Sequence, residues 1–524
     1  WSDASSLELL ERIARAAVRI AVLLVFNYRS DPPLAAPWRA YGYAVTVELD
    51  ELSPAASARL VRSLLRGEPP PELEQRLERA QGNPFFIEAV VRSLIESGTL
   101  VQQDGTWRLA HRLDEADIPD SIEGVITARL DRLEESLRET LQVAAVIGRR
   151  FGYSVLNGLI QPPDTLPTRL ERLEASDMVV PDSEGRDSHA RSAYQFVHAL
   201  TRDVAYEGIL YVRRRDLHLR VAQRIEALYG QRADEQLSLL AGHYLLAESW
   251  AKAFDYHVRA GRRAQERFAN REAIALFERA LDIAERFETP PGIDILTELH
   301  ERMGAIHALI GEYDQALVRF ELALSQLQQH HAPPLEDLLR LHHHVARVYE
   351  KRANFDTAFD WVERAIALAG QRQTPFMSRC LLLGAGIHQR QGRYALALEW
   401  GERARLLAER FGSERDQAAA LLLLGGTYRN LGDNNRAFEL TDRSLQLYQG
   451  VQELSRLADA HNNMANICFE LGRLAEARTH YEAGGEIKRA IGDVYGEGLI
   501  ACNLGELFRV QGETEQAINQ YAQA

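Results

Sequence analysis

The side chains able to do chemistry are few and scattered along this chain. Cys380, Cys468 and Cys502 stand far apart, with no Cys-x-x-Cys pair among them. An odd count at wide spacing points to reduced thiols in a cytoplasmic setting, not to disulfides or a zinc site. The densest run of metal-capable groups is His342-His343-His344. Neighbouring helical residues diverge around the axis, so this run reads as a solvated helix face and not as a ligand set. Only three lysines occur, the first at Lys252. The Gly-x-x-x-x-Gly-Lys-Ser/Thr loop, which wraps phosphates in backbone N–H groups and holds Mg²⁺, is therefore missing from this sequence. No nucleophile–base pair, metal constellation or carboxylate pair with catalytic spacing stands out.

What the sequence specifies strongly is a repeat. Phe268, Gly311, Ala353, Gly392, Gly432, Gly472 and Gly512 mark equivalent places about 40 residues apart. Five residues beyond each stands alanine, from Ala273 through Ala316, Ala358, Ala397, Ala437 and Ala477 to Ala517. Seven residues before each stands a small residue, beginning with Gly261 and Gly304 and ending with Gly505; a third small column lies twelve beyond. Fixed columns of small residues let two helices of a hairpin, and the next hairpin, approach closely. The marker itself sits at a turn, where glycine takes positive φ cheaply. The spacing predicts seven stacked helical hairpins over 254–524, whose groove is a binding surface for a protein or peptide.

Bulk properties bound the rest. A chain of 524 residues with 46% hydrophobic and 26% charged residues is an ordinary globular sequence of several domains. A net charge of −14 argues against a chain-wide nucleic-acid footprint. The longest early apolar run, Ile20 to Phe26, is too short to cross a bilayer. The sequence opens on Trp1 and stops inside a repeat, which reads as a piece of a longer protein.

The first 230 residues have a different texture. A helix is expected over Ser5 to Arg19. The apolar run Ile20 to Tyr28 then suits a strand buried in a parallel sheet, with Arg29 at the edge where ligands sit. A second strand is expected over Ala44 to Leu49. Three short helices follow over 54–97, the last opening at Gly82-Asn83-Pro84, and Asp104-Gly105 centres a hairpin from Val101 to Leu109. From 118 to 230, four helices lead into two short strands, Met178 to Pro181 and Tyr194 to Val197, a pattern that describes a winged helix. No run of basic residues supports DNA reading by it. Residues 231–267 read as a helical adaptor.

Several segments together resemble the part of a STAND-type signal-transduction ATPase that follows its acidic metal-binding strand. Such regions occur behind class III nucleotide cyclase domains or ahead of LuxR-type helix-turn-helix domains. Trp1-Ser2-Asp3 resembles the tail of that acidic strand, and Ile20 to Arg29 the sensor strand. Gly82-Asn83-Pro84-Phe85-Phe86 resembles the Gly-x-Pro motif, Ile118-Pro119 with Ala128-Arg129-Leu130 the winged-helix entry, and Phe196-Val197-His198 the winged-helix histidine segment. The resemblance implies a mostly α chain: residues 1–50 as the remnant of a P-loop α/β sheet, 51–117 as a helical lid with a hairpin, 118–230 as a winged helix, then the adaptor and a tetratricopeptide-like α-solenoid. It implies that Arg29 senses a terminal phosphate, that Gly82, Asn83 and Pro84 pack on nucleotide, and that His198 donates to the ADP β-phosphate. It implies ATP or ADP with Mg in the complete protein, with none held tightly by this piece alone. The parent would be a slow ATPase or a cyclase-linked one, and DNA would be met only through an effector domain elsewhere. The alternatives are a protein-binding scaffold with a degenerate ATPase half, or the regulatory region of an adenylate or guanylate cyclase.

Overall fold

The computed structural model describes residues 4–524 apart from 18–20, 29–40, 78–81, 104, 111–118, 120, 183–192, 330 and 412. The chain divides into two units, Trp1–Pro290 and Pro291–Ala524.

The second unit is six helical hairpins in succession. They are Ile293–Leu309 with Tyr313–Gln328, Leu335–Lys351 with Phe355–Ala369, Pro375–Arg390 with Tyr394–Arg410, Glu414–Asn430 with Asn434–Val451, Leu454–Glu470 with Leu474–Ala490, and Val494–Gln511 with Thr514–Gln523. Every marker occupies the left-handed region, from φ +73° at Gly392 to +84° at Gly311, and even Ala353 takes φ +58°. At one such turn Arg393 N–H donates to His388 C=O at 2.8 Å, which ends the helix and reverses the chain. The alanine column is sealed: Ala316, Ala358, Ala397, Ala437 and Ala477 are each 0% exposed.

The small column before each marker has a specific partner sixteen residues on. A Cβ at Gly304 would lie 2.7 Å from the Phe320 ring, and one at Gly505 would lie 2.9 Å from the Tyr521 ring. The neighbouring Gly384 meets Trp400 the same way, at 2.5 Å. Ring and missing side chain thus fit together within these hairpins, at a distance no Cβ tolerates, while Gly425 meets the Thr441 side chain instead. In the first unit, Trp250–Glu266 and Asn270–Ala284 form a hairpin of the same kind, with Gly261 against Phe277. A helical hairpin thus stands at each of the seven markers.

The histidine run is not the solvated face that the sequence suggested. His342 is buried and its Nδ1 lies 2.8 Å from Leu338 C=O. His343 packs edge-on against Phe376. His344 stacks on Phe320, with centroids 5.2 Å apart, and bonds Glu301. Burial opposes ionisation of Glu301, but bonds from His344 and Arg340 outweigh it and hold the carboxyl at about 2. Stacking hairpins leave the first helix of a repeat little solvated surface, so charges of adjacent helices are used up locally. Among the described residues no group of three His, Cys, Asp or Glu side chains is arranged to hold a metal, and no helix is long and apolar enough to cross a membrane.

In the first unit, helix Ala4–Ala17 forms as expected, but residues 21–28 and 44–50 are not strands. Val22, Leu23, Val25, Val45 and Val47 are exposed. A parallel strand needs neighbours offering N–H and C=O groups, and no described segment offers them. Arg29 lies outside the described residues. The lid is observed as helices Pro54–Leu65, Pro71–Arg76 and Pro84–Glu96 followed by a hairpin of β1 (Leu100–Gln103) and β2 (Thr106–Leu109). Trp107 Nε1 ties that hairpin back to Leu65 C=O at 2.8 Å.

The winged helix comprises helices Ile122–Arg132, Glu135–Ile147, Tyr153–Asn157 and Leu166–Ala175, with a three-stranded sheet. The sheet order places β5 (Ala193–Phe196) between β3 (Arg150–Gly152) and β4 (Val179–Asp182), all antiparallel. In helix Leu166–Ala175 both arginines are occupied: Arg169 by Thr140 and backbone carbonyls, Arg172 by Glu134. Helix Tyr211–Tyr229 follows, and Leu237–Leu246 packs on it around a buried relay. Tyr206 Oη lies 2.9 Å from His218 Nε2, and His218 Nδ1 lies 2.9 Å from His243 Nδ1. Burial pulls His218 down to about 3, helped by His243 and nearby Arg202 and Arg214, and burial with Arg202 pulls His243 to about 4.

Two predictions follow from this packing. Replacing Gly304 with Leu drives carbon into the Phe320 ring and costs about 1–3 kcal/mol. Gly292→Ala, which points into open space, stays within about 0.5 kcal/mol; melting curves of the two variants separate them. The buried histidines bind fewer protons folded than unfolded, so their contribution is complete above the unfolded value near 6.5. It is lost progressively as pH falls toward the folded values. The melting temperature therefore declines between pH 7 and 4, and a flat profile over that range contradicts a neutral buried pair.

Candidate functional site: a lid–wing clasp and a repeat groove

Helix Pro84–Glu96 starts where the sequence places a start signal. Asn83 Oδ1 accepts from Phe85 N–H at 3.0 Å and Phe86 N–H at 3.2 Å, and Pro84 fills the first turn, where no N–H is needed. Gly82 takes φ +72°, and its carbonyl accepts from Leu52 N–H at 2.9 Å. A Cβ there would come within 2.3 Å of the Leu52 carbonyl oxygen. The glycine is thus required by the approach of the 51–52 backbone, and the Asn83 side-chain oxygen is engaged in capping.

Once that helix is set, spacings of three and four put Phe85, Glu88 and Arg92 on one face. This face meets the winged helix. The Phe85 ring lies 4.1 Å from the His198 ring, tilted by 46°. His198 occupies the position just before helix Ala199–Glu207, and its side chain makes no capping bond there. The structure therefore brings together two segments the sequence separates by more than a hundred residues. Burial pulls the His198 imidazole below its usual range; Arg92 and Arg129 push the same way and Glu88 opposes them. At neutral pH the ring is a neutral donor–acceptor.

Three arginines clamp the two parts around this contact. Arg92 bonds Glu88 at 2.8 Å and also Asp177. Arg129, almost fully buried, forks onto Glu96 at 2.9 and 2.6 Å and reaches Ser176 C=O at 3.0 Å. Arg132 takes both oxygens of Ser93 at 3.0 and 3.2 Å. A bidentate, desolvated guanidinium fixes orientation as well as contributing energy. Sequence reading singled out Gly82, Asn83, Pro84 and His198 but neither Phe85 as the ring partner of His198 nor the arginine clamp. The available signal was the i, i+3 pair Arg129 and Arg132, with Arg129 set beside Leu130 among the apolar positions of its helix.

The second unit carries a groove of about 780 Å³ between Ala305 and Asn463. Its lining comes mainly from the first helices of successive hairpins, with Phe320 and Tyr448 reaching it from second helices. Leu382, Leu383, Leu422 and Leu423 supply apolar surface, and Gln389, Asn430 and Asn463 supply carboxamides. Gln389 Nε2 is held by Thr427 Oγ1 at 2.9 Å and Leu423 C=O at 3.3 Å. Such a groove can take an extended chain, with alternate side chains on leucine and its backbone on amides.

Comparison with known proteins bears on the second unit most directly. The family model for the tetratricopeptide repeat matches residues 294–371, 380–450 and 456–524. An uncharacterized protein of Rhizobium meliloti (strain 1021) is 27% identical over 289 residues, covering 54% of this chain and 27% of the relative. Tetratricopeptide repeat protein 29 of Trypanosoma brucei brucei is 26% identical over 125 residues, covering 24% of this chain and 26% of that protein. The chain thus spans about a quarter of the length of the curated relatives it matches. Among solved structures, a STAND protein with a tetratricopeptide repeat sensor from Pyrococcus horikoshii aligns with 91% of this chain and 72% of its own, at 13% identity and a TM-score of 0.42. The three matched stretches of this chain are tetratricopeptide repeats.

Proposed function

We propose that this chain is the regulatory part of a nucleotide-dependent switch, in which a polypeptide held in the repeat groove and a nucleotide at the lid–wing clasp influence one another. Protein binding by the groove rests on the repeat architecture and on its apolar and carboxamide lining. The nucleotide half rests on one observation, the contact of Phe85 with His198 inside an arginine clamp. A neutral imidazole with no capping bond, close to Arg92, offers an N–H and a neighbouring positive charge to a phosphate oxygen. ATP or ADP would be held with Mg in the complete protein, Arg29 reading the terminal phosphate and His198 the β-phosphate of ADP. When bound, the nucleotide supplies a charge that only the closed lid can satisfy. The chain's own part is to orient His198 through Phe85 and to set the closed state through Arg92, Arg129 and Arg132.

A second reading, a protein-binding scaffold whose ATPase-like half is silent, is favoured by the Gly82–Asn83 corner. There the missing Cβ is filled by the Leu52 backbone and the asparagine oxygen is committed to the helix cap. Gly82 and Pro84 then act through lid geometry and not by direct packing on adenine.

Calorimetric titration of ADP into the native full-length protein separates the two. The switch predicts tight ADP binding that weakens by about 1–3 kcal/mol in His198→Ala, the cost of losing a hydrogen bond to a charged group. Absence of ADP and ATP binding leaves the scaffold.

A further inference from the structure

We propose that the groove of the second unit takes an acidic, extended polypeptide segment; this rests on the groove being a polypeptide site at all. The chain as a whole carries −14, so a cationic lining is the reverse of what its composition gives. Around the groove stand seven cationic side chains and only three carboxylates.

Those three carboxylates are already matched. Glu350 accepts from Arg390 at 2.5 Å while Arg347 approaches the same carboxylate at 3.7 Å. Asp416 holds Arg379 through both oxygens at 3.0 and 3.1 Å, and Glu453 holds Arg415 at 2.7 Å. Arg429 and Arg456 reach acids outside the lining, Glu470 at 3.7 Å and Asp459 at 3.5 Å. Lys351 has no ion pair among the described residues, and Arg347 must share Glu350 with Arg390. The internal acids therefore leave positive charge unmatched along the trough, and it attracts a ligand carboxylate most strongly at low salt. His343 adds a buried Nδ1 with no hydrogen-bond partner on the same lining.

The spacing of apolar and cationic groups favours polypeptide over nucleic acid. Leucines of the 382–383 and 422–423 pairs lie between the arginines, and carboxamides from three successive repeats accompany them. A segment alternating acidic and aliphatic residues places carboxylates on the guanidinium groups and methyl groups on the leucines. A phosphate backbone would meet the cations but leave the leucine stripe in contact with sugars or water.

Fluorescence anisotropy with the full chain tests this using three labelled probes: a peptide of alternating Glu and Leu, its Gln–Leu counterpart, and an oligothymidylate. The Glu–Leu peptide is expected to bind about tenfold more tightly than the Gln–Leu peptide, with the difference shrinking as salt is raised. Lys351→Glu, at an exposed and unpaired position, is expected to weaken the Glu–Leu peptide about threefold and leave the Gln–Leu peptide and the melting temperature unchanged. Equal affinity for the two peptides overturns the charge inference and leaves the groove as a polypeptide site. Binding of the oligothymidylate alone, or of no probe, overturns both.

Discussion

A Phe320 ring lies where the Cβ of any residue but glycine at position 304 would be, and the same exchange of ring for missing side chain recurs at Gly261, Gly384 and Gly505. This contact sets how closely the two helices of a hairpin lie. Where a glycine stands at that position, the packing of the hairpin depends on that distance; alanine or a threonine partner takes the same place in the others. With the second helix held close behind, the first helices of successive hairpins share one face, and the buried alanine column lets the next hairpin stack. The groove is the consequence: charged and amide side chains that would otherwise point into bulk water line one trough.

The first unit is organised by polar contacts instead. Its lid helix and winged helix are held by Arg92, Arg129 and Arg132, with the Phe85–His198 ring contact among them. Guanidinium groups on carboxylates and carbonyls are directional, so they define one arrangement of lid and wing. They are also exchangeable, since a phosphate can replace a carboxylate on arginine. A packed interface of leucines would be tighter but would offer an anion nothing. The lid–wing contact is thus suited to two states in a way the ring-filled repeats are not.

How far the sequence reached follows from how local each signal is. The turn markers were legible because positive φ is a property of a single residue; even Phe268 and Ala353, which are not glycine, were placed by their spacing and take φ +59° and +58°. The start of helix Pro84–Glu96 was legible for the same reason. The winged helix was recognised from its helices and two strands, but β3 was missed, because three residues pairing with a strand more than forty positions away leave no periodic trace. The two strands expected at 20–28 and 44–49 failed for the converse reason: a β-branched run is only half a strand until a partner exists. The histidine run was misread because its burial is decided by rings on the adjacent helices, Phe320, Trp361 and Phe376, which the local pattern does not contain. Of the candidate site, Gly82, Asn83, Pro84 and His198 came from motif resemblance, while the contact joining them came only from the fold; Arg29 lies outside the described residues.

The clasp and the groove do different things, and the proposed switch requires them to be coupled. Coupling is reciprocal: if ADP at the clasp changes the affinity of the groove for a polypeptide, the polypeptide changes the affinity for ADP by the same factor. The direct measurement is the affinity of the native full-length protein for a groove-bound peptide, taken once with saturating ADP and once with a non-hydrolysable ATP analogue. The account predicts that the two affinities differ by about fivefold or more, the lower end of typical allosteric coupling. Identical affinities in the two nucleotide states, with both nucleotides shown to be bound, would contradict it.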